Sequence, residues 1–105
     1  MEQPNINYLH QLCGDDKVFK AKMISIIKIE LPEEIADYQE KIAHKKFKHT
    51  SECVHKLKHK ISVLGLEKSY YIAEKFEENL NNNSTALQND FEKILSSMQD
   101  FVNDL

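Results

Sequence analysis

Hydrophobic positions recur at helical spacing along most of the chain. The clearest stretch is 47–64, where apolar or small residues step by three and four while lysines and histidines fill the positions between them. This spacing is typical of a helix with one buried face. The residues of this stripe are Phe47, Thr50, Val54, Leu57, Ile61 and Leu64. The pattern therefore predicts an amphipathic helix from about Lys46 to Leu64, which Gly65 ends or bends.

Three further helices are predicted before this one. A short first helix covers Ile6–Leu12 and ends at Gly14. The aspartate pair Asp15–Asp16 can cap a second helix, which extends to Leu31. Pro32 fits the first turn of a new helix, so we expect a third helix to begin there. Its apolar residues are Ile35, Tyr38 and Ile42.

Two helices are predicted after the basic one. The first runs from Leu66 to about Leu80, and the polar run 81–83 of three asparagines then forms a turn. Thr85 followed by Gln88 resembles a capping box at the start of the last helix. The apolar positions of that helix are Leu87, Phe91, Ile94, Met98, Phe101 and Leu105.

These elements predict an all-α fold. Four of the helices are substantial and one or two are short, and short connections favour antiparallel neighbours. We therefore expect an up-down antiparallel four-helix bundle with one or two additional short helices, formed by residues 1–105 as one domain. A sheet has little support because β-branched and polar residues do not alternate. We expect a monomer, although the last helix offers a route to dimerisation.

Composition and charge narrow the functional classes. The net charge is -3, so no global field attracts nucleic acid. Lysines crowd the basic helix, but no aromatic stacking platform or base-reading motif accompanies them, and we expect no nucleic-acid partner. The two cysteines form no disulfide framework and no signal peptide is evident, so we expect a cytoplasmic location. No apolar run approaches the roughly 20 residues that span a bilayer, so we expect no membrane partner.

His55 is the residue with the clearest candidate chemistry. It lies off the apolar stripe, so its ring should face water, with Lys58 and His59 one turn further on and Ser62 two turns on. An exposed imidazole beside a lysine can accept or relay a phosphoryl group, because its ring nitrogen is nucleophilic near neutral pH. Two histidines four residues apart on a helix, such as His55 and His59, can both bind Zn²⁺. A zinc site needs three or four ligands, and too few converge here, so we expect no metal site.

These residues resemble the motif of the histidine-containing phosphotransfer (HPt) family. The motif has a histidine, an apolar residue two positions on, a lysine three on, then small residues and a glycine ten on. In this chain these residues are His55, Leu57, Lys58, Ser62 and Gly65. Upstream, Gly14-Asp15 followed by an amphipathic helix and Leu31-Pro32 also match, so the resemblance extends from about Tyr8 to the C-terminus.

The resemblance implies a carrier of phosphoryl groups in a multistep phosphorelay. His55 would be the phosphoacceptor and Lys58 the cation that steadies the phosphoryl oxygens. The implied partners are the receiver domains of response regulators, together with a hybrid sensor kinase. Such a domain is not an enzyme in its own right and has no intrinsic cofactor, because Mg²⁺ is held by the partner receiver domain.

His59 departs from the family pattern. In the family, the position immediately after the lysine is usually glycine or sometimes serine, whereas this chain has His59 there. An imidazole there could hinder a partner's approach, or it could hydrogen-bond the phosphoryl group or the His55 ring, and the sequence leaves both readings open. Ser62 and Gly65 are further candidate modulators. The alternative function is a non-transferring helical module that binds a receiver or another protein.

Overall fold

The computed structural model describes residues 2–105, which form α-helices and no strand. The all-α prediction is therefore confirmed for this part of the chain. No helix in this range is long and apolar enough to cross a membrane. The helices are α1 (Asn7–Cys13), α2 (Lys17–Ala43), α3 (Phe47–Val63), α4 (Glu67–Asn81) and α5 (Gln88–Asn103).

Helix α3 is packed between α2 and α4, while α5 contacts both α4 and α2, and α1 packs on α2. The predicted stripe faces this interior. Its residues from Thr50 to Leu64 are all completely buried, with 0% of their surface exposed. Three aromatic rings from α2, α4 and α5 meet at the centre, with centroid separations of 5.1–6.3 Å. These are Tyr38, Phe76 and Phe91. Burial of each large apolar side chain contributes about 1.5–3 kcal/mol.

The predicted break at Pro32 is wrong, because α2 continues through it as one helix of 27 residues. Proline has no N–H, so the helix gives up one backbone hydrogen bond at this point. The ring itself lies on the exposed side of the helix. Leu31 and Tyr38, on either side of the proline, are both fully buried, so core packing holds the two halves of α2 together.

The ends of α1 and the start of α2 follow the prediction. Gly14 ends α1 with a positive φ of 56°, a conformation that glycine adopts without strain. The Asp16 side chain caps α2 by accepting a hydrogen bond from the backbone N–H of Phe19 at 2.9 Å.

The predicted capping box at the start of α5 is wrong. Helix α4 ends in the asparagine run as expected, but Leu87 precedes α5 in the left-handed conformation, with φ 77°, and no side chain caps this helix. Leu87 packs against the hydrophobic core. The Gln88 side chain donates to Glu92 on the same helix and not back to Thr85. Packing of Leu87 therefore sets the start of α5 in place of the cap.

The segment before α1 forms hydrogen bonds with the turn between α3 and α4 and with the start of α4. The Glu2 carboxylate accepts hydrogen bonds from the backbone N–H groups of Lys68 and Ser69, at 3.1 and 3.0 Å, and so caps α4. The backbone N–H of Asn5 donates to the carbonyl of Leu64 at 2.9 Å. This segment therefore supplies the cap that the sequence near Leu66 lacks.

Candidate functional site

His55 lies on the solvent-facing side of α3. Its side chain is 59% exposed, whereas Val54 and Leu57 beside it are fully buried. The predicted exposure of this imidazole is confirmed. A partner molecule can therefore reach the ring without any opening of the core.

The His55 ring has a carboxylate partner on the neighbouring helix. Its Nδ1 is 3.1 Å from Oε2 of Glu77 on α4. Because a carboxylate only accepts hydrogen bonds, this contact places a proton on Nδ1. In the neutral ring the lone pair is then on Nε2, which is the nitrogen able to act as a nucleophile.

Lys58 is held by the same carboxylate. Its Nζ lies 2.8 Å from Oε1 of Glu77, and its side chain is only 11% exposed. Burial alone would lower the pKa of Lys58, but the hydrogen bond and charge of Glu77 outweigh it and raise the pKa above its usual value. The ammonium also lies over the ring of Tyr70, 5.4 Å from the centroid. Lys58 is thus a fixed, charged group on the inner side of Glu77.

His59 lies beside His55 on the next turn of α3. The two rings are 5.9 Å apart between centroids and nearly perpendicular, at 89°. The His59 ring is exposed and lines a groove of about 780 Å³ between α1, α3 and α4. Other residues of this groove are Tyr8, Gln11, Ser62, Tyr70 and Tyr71.

Ser62 and Gly65 line the same groove, and the structure gives Gly65 a definite packing role. The backbone of Gly65 has a positive φ of 74°, and a Cβ there would lie 2.6 Å from the side chain of Asn5. Glycine therefore meets two needs at once, a left-handed turn and a close approach of the N-terminal segment. Ser62 is exposed and stays a predicted modulator.

A second group of charges joins α3 to α2 on the side away from Glu77. Lys60 forms ion pairs with Glu30 and Glu34, both at 3.0 Å, and its side chain is 13% exposed. Lys60 is therefore not a freely solvated surface charge. Partial burial with two carboxylates on α2 makes this lysine a link between helices.

The thiol of Cys53 is buried in the same interface and donates to Asp37 at 3.3 Å. Burial, followed by the hydrogen bond to the Asp37 carboxylate, raises the pKa of Cys53 to about 11. The thiol is therefore protonated at neutral pH and is a poor nucleophile. Cys53 acts as a packing residue at the edge of the core. Residues 2–105 contain no group of three or more metal-binding side chains.

Sequence reasoning placed His55, Lys58 and His59 on one surface but missed Glu77. The available signal was its position four residues after Ala73, at the edge of the buried stripe of α4. A carboxylate at such an edge can reach the adjacent helix. Comparison with family models, with curated proteins and with solved structures finds no match to this chain.

Proposed function

We propose that this chain is a histidine-containing phosphotransfer domain that carries a phosphoryl group on His55. The observation that supports this most is the exposed His55 ring, whose Nδ1 faces the Glu77 carboxylate at 3.1 Å. The contacts of α2 with α3, α3 with α4, α4 with α5, and α5 with α2 fit a four-helix bundle, with α1 as the additional short helix.

The transfer is a displacement at phosphorus. The Nε2 lone pair of His55 attacks the phosphorus of an aspartyl phosphate on a receiver domain, the N–P bond forms, and the P–O bond to the aspartate breaks. The aspartate leaves as a carboxylate. The ring retains the proton on Nδ1 and so becomes positively charged when Nε2 bonds to phosphorus. Transfer to a second receiver domain is the reverse displacement, with His55 as the leaving group.

Glu77 favours this chemistry in two ways. It keeps the proton on Nδ1, so that Nε2 is the reactive nitrogen in the resting state. It also places a negative charge beside the ring that becomes positive during transfer. Lys58, at 2.8 Å from Glu77, keeps that carboxylate in position. The lysine of the family motif therefore acts in the resting state through Glu77.

The partners that this chemistry requires are receiver domains of response regulators, with a hybrid sensor kinase as the source of the phosphoryl group. The receiver supplies Mg²⁺ and the carboxylates that hold it, and the chain needs no cofactor of its own. Exposed lysines on α3, such as Lys48 and Lys56, favour encounter with an acidic receiver pocket.

The test is transfer from a phosphorylated receiver domain in the presence of Mg²⁺. We expect acid-labile, base-stable phosphoryl incorporation that disappears in His55→Gln and persists in His49→Gln, which removes another exposed histidine of α3. Circular dichroism should show both variants folded, because both side chains lie outside the core. Labelling that survives His55→Gln would contradict the proposal.

The second candidate function is a module of the same fold that binds a receiver without transfer. It is favoured by the imidazole of His59, which lies 5.9 Å from the His55 ring where a small residue would admit a partner more closely. The variant His59→Gly separates the two functions. A wild-type chain that binds but does not accept a phosphoryl group, with transfer gained in this variant, would establish the second function.

A further inference from the structure

Lys58, the cation that the motif provides for the phosphoryl group, is already paired with a carboxylate. Lys58 pairs with Glu77 at 2.8 Å, lies over the Tyr70 ring and is 11% exposed. A phosphoryl group on Nε2 of His55 would sit on the exposed part of the ring and carry close to two negative charges at neutral pH. It therefore needs a donor on the outer surface of α3.

His59 is placed to be that donor. It follows His55 by one helical turn, and the two ring centroids are 5.9 Å apart. A phosphoryl group extends from a histidine ring by a bond to phosphorus and a further bond to each oxygen, which brings an oxygen toward the neighbouring ring. A protonated imidazole can then form a charge-assisted hydrogen bond, which is typically about 2.7–2.9 Å long.

Few charged side chains share the groove with His59. Within residues 2–105, no carboxylate forms an ion pair with His59. The ionisable side chains that share its groove are Tyr8 from α1, Lys58 from α3, and Glu67, Tyr70 and Tyr71 from α4, while His55 is its ring neighbour. Glu67 is the only carboxylate among them.

We infer that His59, in its protonated form, binds the phosphoryl group carried by His55 and makes the phosphorylated state dependent on pH. This inference deepens the proposed function and rests on phosphorylation of His55. Phosphorylation retains the His59 proton to higher pH, so the stabilisation is fully present at low pH and is lost as pH rises through the raised midpoint. Histidine side chains gain or lose this proton close to physiological pH, so the stability of the phosphorylated state changes in the range where pH can regulate it.

The test uses chemical phosphorylation, so that it does not depend on finding the partner. Phosphoramidate transfers its phosphoryl group to Nε2 of His55 as the P–N bond of the reagent breaks and ammonia leaves. NMR then follows protonation of the His59 ring as a function of pH in the free and the phosphorylated chain, with His49 as the internal control. We expect the His59 midpoint to rise by roughly 0.5–1 pH unit on phosphorylation, which corresponds to a three- to tenfold preference, and the His49 midpoint to stay unchanged.

Two variants test the same inference through the lifetime of the phosphoryl group on His55. At pH 6, phosphorylated His59→Gln should lose its phosphoryl group about three- to tenfold faster than wild type, and the two rates should converge at pH 8.5. His59→Lys, which keeps a positive charge at both pH values, should retain the long lifetime at both. Equal lifetimes of wild type and His59→Gln at pH 6, or a His59 midpoint that does not move, would overturn the inference.

The same experiment distinguishes failure of the inference about His59 from failure of the proposed phosphotransfer function. A chain that phosphoramidate labels on His55 but receiver domains do not would contradict the phosphorelay function, while the His59 titration would still decide the inference. A chain that phosphoramidate does not label on His55 would overturn both.

Discussion

The substitution Glu77→Gln removes the charge between His55 and Lys58 while preserving the size of the side chain. In the wild type, the two carboxylate oxygens lie 3.1 Å from Nδ1 of His55 and 2.8 Å from Nζ of Lys58. The amide of glutamine retains one oxygen that can accept a hydrogen bond, but it removes the carboxylate charge paired with the Lys58 ammonium, which is 11% exposed.

The expected loss of stability follows from this geometry. Hydrogen bonds to charged groups contribute about 1.5–3 kcal/mol, and the glutamine oxygen keeps part of that. Because the Glu77 side chain is 20% exposed, water also takes over part of the lost interaction. We expect the free energy of unfolding to fall by about 1–2 kcal/mol. For a domain of this size, the Tm should fall by about 5–15 °C.

The same substitution should slow phosphoryl transfer. The ring of His55 gains positive charge as Nε2 bonds to phosphorus, and the variant no longer offsets that charge. If the transition state loses about 1–2 kcal/mol of stabilisation, transfer slows about 5- to 30-fold. The assay measures the rate of transfer from a phosphorylated receiver domain at saturating Mg²⁺, together with thermal unfolding of the same samples.

The matched control is Glu78→Gln, which removes the same charge from the next residue of α4. Glu78 is 64% exposed, and its pair with Lys75 spans 3.6 Å, so this variant should behave as wild type in both measurements. A Glu77→Gln variant that transfers at the wild-type rate would refute the role assigned to this carboxylate. Equal slowing in both variants would show that only the overall charge of α4 matters.

Three further predictions concern the surroundings of the site. Gly65→Ala should lower the free energy of unfolding by about 1–3 kcal/mol in denaturant titrations, because the positive φ and the approach of Asn5 disfavour a Cβ. Lys58→Met should slow transfer by releasing Glu77 from its position, and an unchanged rate would remove that role. Burial raises the pKa of Glu2, but hydrogen bonds from two backbone N–H groups of α4 outweigh it and hold the pKa below its usual value. Its stabilisation should therefore be present above that value and fall away as pH drops through the lowered pKa, so the stability difference between wild type and Glu2→Gln should shrink in acid unfolding series.

The helical pattern and the exposure of His55 were predictable because both depend on local periodicity. In the stripe of α3, three- and four-residue steps fix which side is buried, and His55 falls outside it. The continuity of α2 was not predictable in this way. Proline favours a break locally, but the burial of Leu31 and Tyr38 on either side of it depends on contacts that only the tertiary structure reveals.

The partners of the site residues were also beyond sequence reasoning. Glu77 is 22 residues from His55 along the chain, so its contact depends on the relative rotation of α3 and α4. Lys60 lies outside the apolar stripe, like the other lysines of α3, yet the approach of α2 gives it two carboxylates. Periodicity assigns a residue to a face, while ion pairs between helices depend on how those faces meet.

The most direct test of the account is to identify the nitrogen of His55 that carries the phosphoryl group. Coupling between ³¹P and ¹⁵N in the phosphorylated, ¹⁵N-labelled chain distinguishes the two ring nitrogens. Since Glu77 holds the proton on Nδ1, the account predicts phosphorus bonded to Nε2 of His55. Phosphorus bonded to Nδ1, or to the ring of another histidine, would contradict it.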